Sequence, residues 1–138
     1  MKFRILLATL LSILGACAST DYDPYVAATA NQLETRSYQT RDFSDVDHRQ
    51  LMQAMVATLQ DYHFRIREVD TELGTITAFQ NTRSAGTTEL TIFIKPRGDR
   101  HYAVRINMLT GFKVEQEPEL YQKFFTAVRK QLHYRGNV

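Results

Sequence analysis

Hydrophobic residues recur three and four positions apart in two long stretches of the chain. Over 45–62, one face carries Leu51, Met55, Leu59 and Tyr62. From Pro118 onward, one face carries Tyr121, Phe124, Phe125, Val128 and Leu132. This spacing is helical, so two helices are predicted, each with an apolar stripe wide enough to pack on a sheet. The first should be capped at Ser44-Asp45-Val46-Asp47, and Pro118 suits the first turn of the second.

Between these helices, hydrophobic and polar residues alternate in four short runs, which is the pattern of strands. The runs are 63–69, 75–80, the segment around Leu90, Ile92 and Ile94, and the segment with Tyr102, Val104, Ile106 and Met108. The third run should stop at Pro96-Arg97-Gly98-Asp99, a strong turn signal. A further short strand is predicted over 37–43. The resulting order β-α-β-β-β-β-α predicts an α+β fold, an antiparallel sheet of four to five strands with two helices on one face.

The first 17 residues have the pattern of an export signal. Lys2 and Arg4 precede an apolar run over 5–14, which is too short for a bilayer that needs roughly 20 apolar residues. The following Leu14-Gly15-Ala16-Cys17 resembles the lipobox of bacterial lipoproteins. The resemblance implies cleavage between Ala16 and Cys17 and a diacylglycerol and an acyl chain on Cys17. Several acyl chains anchor a protein stably in a membrane, whereas a single acyl chain binds the membrane only reversibly.

The residue after the cysteine bears on localisation. Position 18 is Ala rather than Asp, which by the same resemblance implies sorting to the outer membrane of a bacterium with two membranes, with the domain facing the periplasm. The alternative is that Cys17 is merely a small residue near an ordinary signal-peptidase site. No cofactor is expected beyond the lipid on Cys17.

The chain is therefore predicted to have three parts: a signal peptide over 1–16, a lipidated cysteine and flexible tether over 17–35, and a single α+β domain over 36–138. The stretch 18–35 is small, polar and aperiodic and contains Pro24, which favours a coil. The alternative is a short helix over 26–33 that packs on the domain.

Composition narrows the choice of partners. The 138 residues are 43% hydrophobic and 23% charged, as in ordinary globular proteins. Lys2 and Arg4 account for the formal net charge of +2, so the processed chain is formally neutral and a nucleic-acid partner is not expected. A single cysteine excludes an internal disulfide and a cysteine-based zinc site.

Motifs of catalysis are missing from the sequence. It has no Gly-x-Ser-x-Gly elbow, no His-Glu-x-x-His, no phosphate-binding loop and no Gly-x-Gly-x-x-Gly, so we expect no enzymatic activity. The four histidines show no metal-ligand spacing, and no metal site is expected. The alternative is a site in which His63 and His101 approach across the sheet with Asp61 or Asp99.

The sheet face turned away from the helices is the candidate for binding. Its out-of-phase positions place two large aromatic residues among arginines: Arg65, Arg67, Phe79, Phe93 and Arg105. Aromatic and arginine side chains are enriched at protein interfaces, so these five residues are a possible docking face. The alternatives are an ordinary solvated face, common in antiparallel sheets, or a face covered by the tether.

Three segments of the domain carry a second resemblance. The stretches Tyr38 to Phe43, Leu59 to Phe64 and Leu73 to Ala78 are similar to those of a family of small, uncharacterised bacterial outer-membrane lipoproteins. The order of elements also resembles the helix-grip domains of BamC lipoproteins, which belong to the outer-membrane barrel-assembly machine. BamC has two such domains and a longer leader, so only the fold and an accessory role follow from the resemblance.

Three functional hypotheses follow, of which a hydrolase is the least favoured because the motifs of catalysis are missing. The first is a non-enzymatic, membrane-anchored lipoprotein that is an accessory or scaffold for an envelope assembly, transport or secretion complex and contacts an envelope protein. The alternative is a periplasmic ligand-binding lipoprotein that holds a lipid or glycan in the crevice between helices and sheet. That crevice would be lined by Tyr38, Tyr62, Tyr102 and Tyr121.

Overall fold

The computed structural model describes residues 24–83 and 86–136. Within these residues there are three helices and a six-stranded antiparallel sheet, which confirms the predicted α+β class and antiparallel sheet but adds strands and a helix. In chain order the elements are α1 (Pro24–Gln39), β1 (Thr40–Ser44), α2 (His48–Asp61), β2 (Arg65–Asp70), β3 (Thr75–Thr82), β4 (Gly86–Gly98), β5 (His101–Thr110), β6 (Lys113–Val114) and α3 (Pro118–Gly136). By compactness the chain divides into Met1–Ala30 and Asn31–Val138, and the described strands all belong to the second unit.

The strands lie in the order β1-β5-β4-β3-β2, and the short β6 pairs with β5. From β2 to β6, each strand pairs with the next one along the chain, as in a meander. Only β1 joins the sheet out of order, with Thr40 opposite Arg105 and Ser44 opposite His101. One face of this sheet carries the core. The helices α2 and α3 leave the other face open, and Gln32 and Thr35 of α1 line a groove with Arg105 and Asn107 of that open face.

The core lies between the sheet and the helices α2 and α3, which both pack on the same face, as predicted. From α2 it takes Leu51, Met55 and Leu59, each completely buried, and from α3 it takes Tyr121, Phe124, Phe125 and Val128. The sheet contributes alternate residues of its three central strands, Ile76, Ala78, Leu90, Ile92, Ile94, Val104, Ile106 and Met108. The helical and strand-like spacings of the sequence therefore match the two sides of one core.

Helix α2 begins three residues later than the sequence predicts. Its N-cap is Asp47, whose carboxylate accepts hydrogen bonds from the backbone N–H groups of Arg49 at 3.1 Å and Gln50 at 3.4 Å. The Gln50 side chain accepts in return from the N–H of Asp47 at 3.5 Å, completing a capping box. The predicted cap at Ser44 is wrong, because Ser44 is the last residue of β1 and Asp45 has a left-handed φ of 56°.

The stretch predicted as a flexible coil is helical where the structure describes it. Residues 24–35 belong to α1, which is longer than the alternative helix over 26–33, and α1 also replaces the predicted strand over 37–39. Contacts of its last residues explain why helix replaces the predicted strand there. Gln39 is buried, and the Tyr38 ring lies 5.4 Å from that of Tyr121. The signal peptide, Cys17 and residues 18–23 lie outside the described residues.

Strand β4 runs through Pro96 to Gly98, so the predicted stop at Pro96 is wrong. Pairing between β3 and β4 ends at Thr75 and Phe93, so beyond that point β4 pairs only with β5. A proline lacks a backbone N–H and is tolerated where a strand has an unpaired side. Strand β6 was not predicted, since two residues are too few to show alternation.

Within residues 24–83 and 86–136, none of the helices has the length and apolar character needed to cross a membrane.

Candidate docking face on the open side of the sheet

The open face of the sheet presents the residues that alternate with the core positions. All five residues predicted for a docking face belong to it, but they form two clusters rather than one patch. We call them the Phe79 cluster, made of Arg65, Arg67, Phe79 and Glu89, and the Phe93 groove, lined by Thr40, Phe93, Lys95, Arg97, Ala103 and Arg105.

In the Phe79 cluster, an arginine lies over an aromatic ring. The guanidinium carbon of Arg67 is 5.2 Å from the centroid of the Phe79 ring, and its Nη2 is 3.3 Å from Oε1 of Glu89. Arg67 is on this face by alternation with Arg65, and the change of register between Ile66 and Glu68 places Glu68 opposite Thr77 on the same face. Both charged side chains are about half exposed, so the ion pair stabilises the fold by at most about 1 kcal/mol. The Glu89 carboxylate and the Phe79 ring both contact the Arg67 guanidinium.

In the Phe93 groove, three cations surround an aromatic side chain. The groove has a volume of about 330 Å³, and no carboxylate lines it. Phe93 and Arg105 are direct partners on neighbouring strands, and Ala103 provides a small side chain beside Lys95, its partner in the register. The Nε atom of Arg105 is buried and has no hydrogen-bond partner among the described residues. Buried donors are normally paired, so this unpaired Nε is an exception. The groups of the groove that an anion from outside can meet are the exposed cations Lys95 and Arg97.

The two clusters are separated along β4. Glu89 of the first and Phe93 of the second are four residues apart, which is about 13 Å along a strand. On the open face, the row between them carries the polar residues Thr77, Thr91 and Asn107. A partner that touched both clusters would therefore span most of the sheet.

Two cations of the Phe93 groove were missing from the predicted docking face. Lys95 is in phase with Phe93 on β4, so alternation assigns it to the open face, although it is not among the five residues predicted for docking. Arg97 was excluded by the predicted stop at Pro96, whereas the observed strand continues past it and places Arg97 in the lining.

The four tyrosines proposed to line one ligand crevice are divided among separate contacts. Tyr38 packs on Tyr121, Tyr62 stacks on Phe124 with ring centroids 6.1 Å apart, and Tyr102 lies 5.5 Å from the ring of His48. Tyr121 is completely buried in the core. The structure therefore does not bring these side chains together around a shared cavity.

The alternative metal site is not formed by the described residues. His63 precedes β2 and His101 begins β5, and the sheet places β3 and β4 between these strands. The ring of His101 instead has its Nε2 3.8 Å from Oδ1 of Asp42, a distance too long for a hydrogen bond. Within the described parts of the chain, no three His, Cys, Asp or Glu side chains are grouped so that they could hold a metal ion.

Comparison with protein-family models and with the curated proteins gives no relative from which a role could be transferred. No protein-family model matches the chain, and a search of the curated proteins finds no match. The functional interpretation therefore depends on the chemistry of the side chains on the open face.

Proposed function

We propose that the chain is a non-enzymatic lipoprotein, anchored in the outer membrane through Cys17 and facing the periplasm. In this proposal it is an accessory or scaffold of an envelope assembly, transport or secretion complex, and it binds an envelope protein through the open face of its sheet. The observation that carries the docking role is the Phe93 groove, in which three cationic side chains surround an aromatic ring without a carboxylate in the lining.

The chemistry of the groove indicates the chemistry of the partner. An acidic segment with an apolar side chain would pair its carboxylates with Lys95, Arg97 and Arg105 and cover the ring of Phe93. Charge complementarity of this kind favours the correct partner and speeds association. Anchoring on the same membrane raises the effective concentration, so a weak contact suffices.

The order of elements supports an accessory role. From β1 onward the chain follows the order predicted for a helix-grip domain, except for the added β6, and α1 precedes it. We propose on this basis that the domain is helix-grip-like, as in BamC lipoproteins.

The proposal is tested by crosslinking in cells followed by mass spectrometry. Three forms of the full chain are compared with the wild type: Cys17→Ala, the groove variant Phe93→Ala/Arg97→Ala, and the control Lys130→Ala/Tyr134→Ala. The control removes one cation and one aromatic ring from exposed positions of α3, where the Tyr134 side chain is 72% exposed. We expect one abundant envelope protein crosslinked to the wild type and the control, and a yield about tenfold lower for the groove variant.

Folding has to be separated from binding in this experiment. Loss of the thermal transition in the groove variant would mean that Phe93 belongs to the core. In that case Lys95→Glu/Arg97→Glu, which reverses two exposed charges, tests the same surface. The same partner at equal yield from both groove variants would refute the docking face. Absence of any partner from the wild type would refute the accessory role and favour the ligand-binding alternative, which native mass spectrometry of the purified chain would detect as a retained lipid or glycan.

A further inference from the structure

The turn between β5 and β6 holds a phenylalanine in solvent. Gly111 and Phe112 connect the paired residues Thr110 and Lys113, and both have positive φ angles, 55° and 69°. Such two-residue turns favour Asn-Gly, and a bulky residue with a left-handed φ is an outlier. The side chain of Phe112 is completely exposed. The turn therefore keeps a large apolar side chain in an unfavourable conformation and in water, which points to a contact outside the described chain.

Further apolar side chains adjoin this turn. Leu109 and Val114 are direct partners on β5 and β6, and Val114 is 45% exposed. Leu109 and Phe112 line a groove of about 410 Å³ together with Gly86, Thr87, Glu89 and Gly111. The carboxylate of Glu89 in this groove is paired with Arg67. We call Leu109, Phe112 and Val114 the apolar tip.

Two cations flank the apolar tip. Lys113 directly follows Phe112 and is exposed, and Arg83 is exposed in the neighbouring connection between β3 and β4. Aromatic side chains beside Lys or Arg are typical of segments that lie at the surface of a bilayer, where the ring enters the boundary of the acyl chains and the cations meet phosphates.

The position of the anchor in the sequence indicates which surface lies within reach of the tip. Asn31 and Gln32, the first residues of the compact unit, line a groove with Val114 of the tip and with Arg105 and Asn107 of the open face. Cys17 lies 14 residues before Asn31 in the sequence. A lipid on this residue would therefore keep the unit close to the membrane surface.

We propose that the apolar tip is a second membrane contact, in which Phe112 enters the lipid surface and Lys113 and Arg83 lie at its phosphates. This inference rests on the lipid anchor of the proposed function. The Phe93 groove lies farther along the sheet, since its residue Arg105 is four residues, about 13 Å, from Leu109 of the tip on β5. The tip would then face the membrane while the groove faces a partner.

A single tryptophan reports this contact, because the sequence contains none. The full chain with Phe112→Trp is purified from cells and reconstituted into vesicles of phosphatidylethanolamine with a minority of phosphatidylglycerol, with and without brominated acyl chains. The matched control is Leu73→Trp, because Leu73 is 74% exposed in the turn between β2 and β3, at the opposite end of the sheet. We expect blue-shifted emission and about twofold quenching by brominated lipid for the first variant, and neither for the control.

The outcomes separate this inference from the proposed function. Equal, unquenched emission from both variants in vesicles that hold the lipidated chain would overturn the membrane contact and leave the anchor intact. A blue shift of Phe112→Trp that requires envelope proteins rather than lipid would also overturn it, in favour of a protein contact. A mass spectrum without lipid on Cys17 would refute the anchor, and quenching of Phe112→Trp on addition of the same vesicles would still support the tip.

Discussion

Tyr121 connects three parts of the molecule through one hydroxyl group. The hydroxyl donates to the backbone carbonyl of Glu115 at 2.8 Å and accepts from the Gln39 side-chain amide at 3.4 Å, while the ring packs on Tyr38. Because the side chain is completely buried, the end of α1, the segment after β6 and the first turn of α3 are fixed to one another at this residue.

Burial also raises the pKa of Tyr121 above its ordinary value of 10, although the hydrogen bond from Gln39 partly opposes the shift. The folded state therefore keeps the hydroxyl protonated at a pH where the unfolded chain ionises. The resulting stability is complete below about pH 10 and is lost as the pH rises through the raised value.

Replacing Tyr121 by Phe should lower the free energy of unfolding by about 1–2 kcal/mol near neutral pH, because the Glu115 carbonyl and the Gln39 amide lose their partner. Above pH 10 the wild type should lose stability more steeply than Tyr121→Phe, so that the two curves approach each other. Urea unfolding from pH 7 to 11 measures both effects, and Tyr134→Phe at an exposed position is the control. Curves that stay parallel above pH 10 would show that the hydroxyl does not titrate differently in the folded state.

At the scale of single elements, the start of α2 distinguishes two candidate caps. Asp47→Ala should lower the free energy of unfolding by about 1 kcal/mol, since two backbone N–H groups lose their acceptor. Ser44→Ala, the residue favoured by the sequence pattern, should leave stability unchanged. Chemical denaturation of both variants measures the difference, and an equal loss from Ser44→Ala would contradict the capping box at Asp47.

The elements that sequence predicts well are those whose side chains repeat over several turns or pairs. The stripe Leu51, Met55 and Leu59 and the alternation Leu90, Ile92 and Ile94 identify both the elements and their buried faces. The missed features depend on contacts distant in sequence. The last residue of helix α1, Gln39, contacts Tyr121, which lies 82 residues further along the chain. Pro96 remains in strand β4 because β3 no longer pairs with β4 at that position.

In the candidate site too, some features follow from the local sequence and others depend on contacts distant in sequence. Alternation places Phe79, Phe93 and Arg105 on the open face, because parity along a strand is a local property. It also places Arg67 there, but it does not predict the contact of the Arg67 guanidinium with the Phe79 ring or the presence of Arg97 in the groove. The exposure of Phe112 was also missed, since a two-residue turn with a phenylalanine has no signature in the sequence pattern.

At the scale of the whole molecule, most strands of the compact unit pair with their neighbours in sequence, and one strand pairs with a partner distant in sequence. Strands β2 to β5 form a meander in which each pairing joins consecutive strands. Strand β1 instead pairs with β5, so Thr40 meets Arg105 across 65 residues of sequence. It is also an edge strand, and its buried contribution to the core is Phe43.

Native-state hydrogen exchange should therefore distinguish β1 from the centre of the sheet. Amides of Leu90 to Phe93 in β4 are enclosed by β3 and β5 and lie over the core, so they should exchange only by global unfolding. Amides of β1 should exchange by a smaller opening, because closing the loop between β1 and β5 is the most costly pairing in the sheet. Phe43→Ala should widen the gap, since it removes the ring that packs on Phe125. The exchange is followed by mass spectrometry or NMR in rising denaturant. Equal protection of β1 and β4 would show instead that β1 unfolds only together with strands β2 to β5.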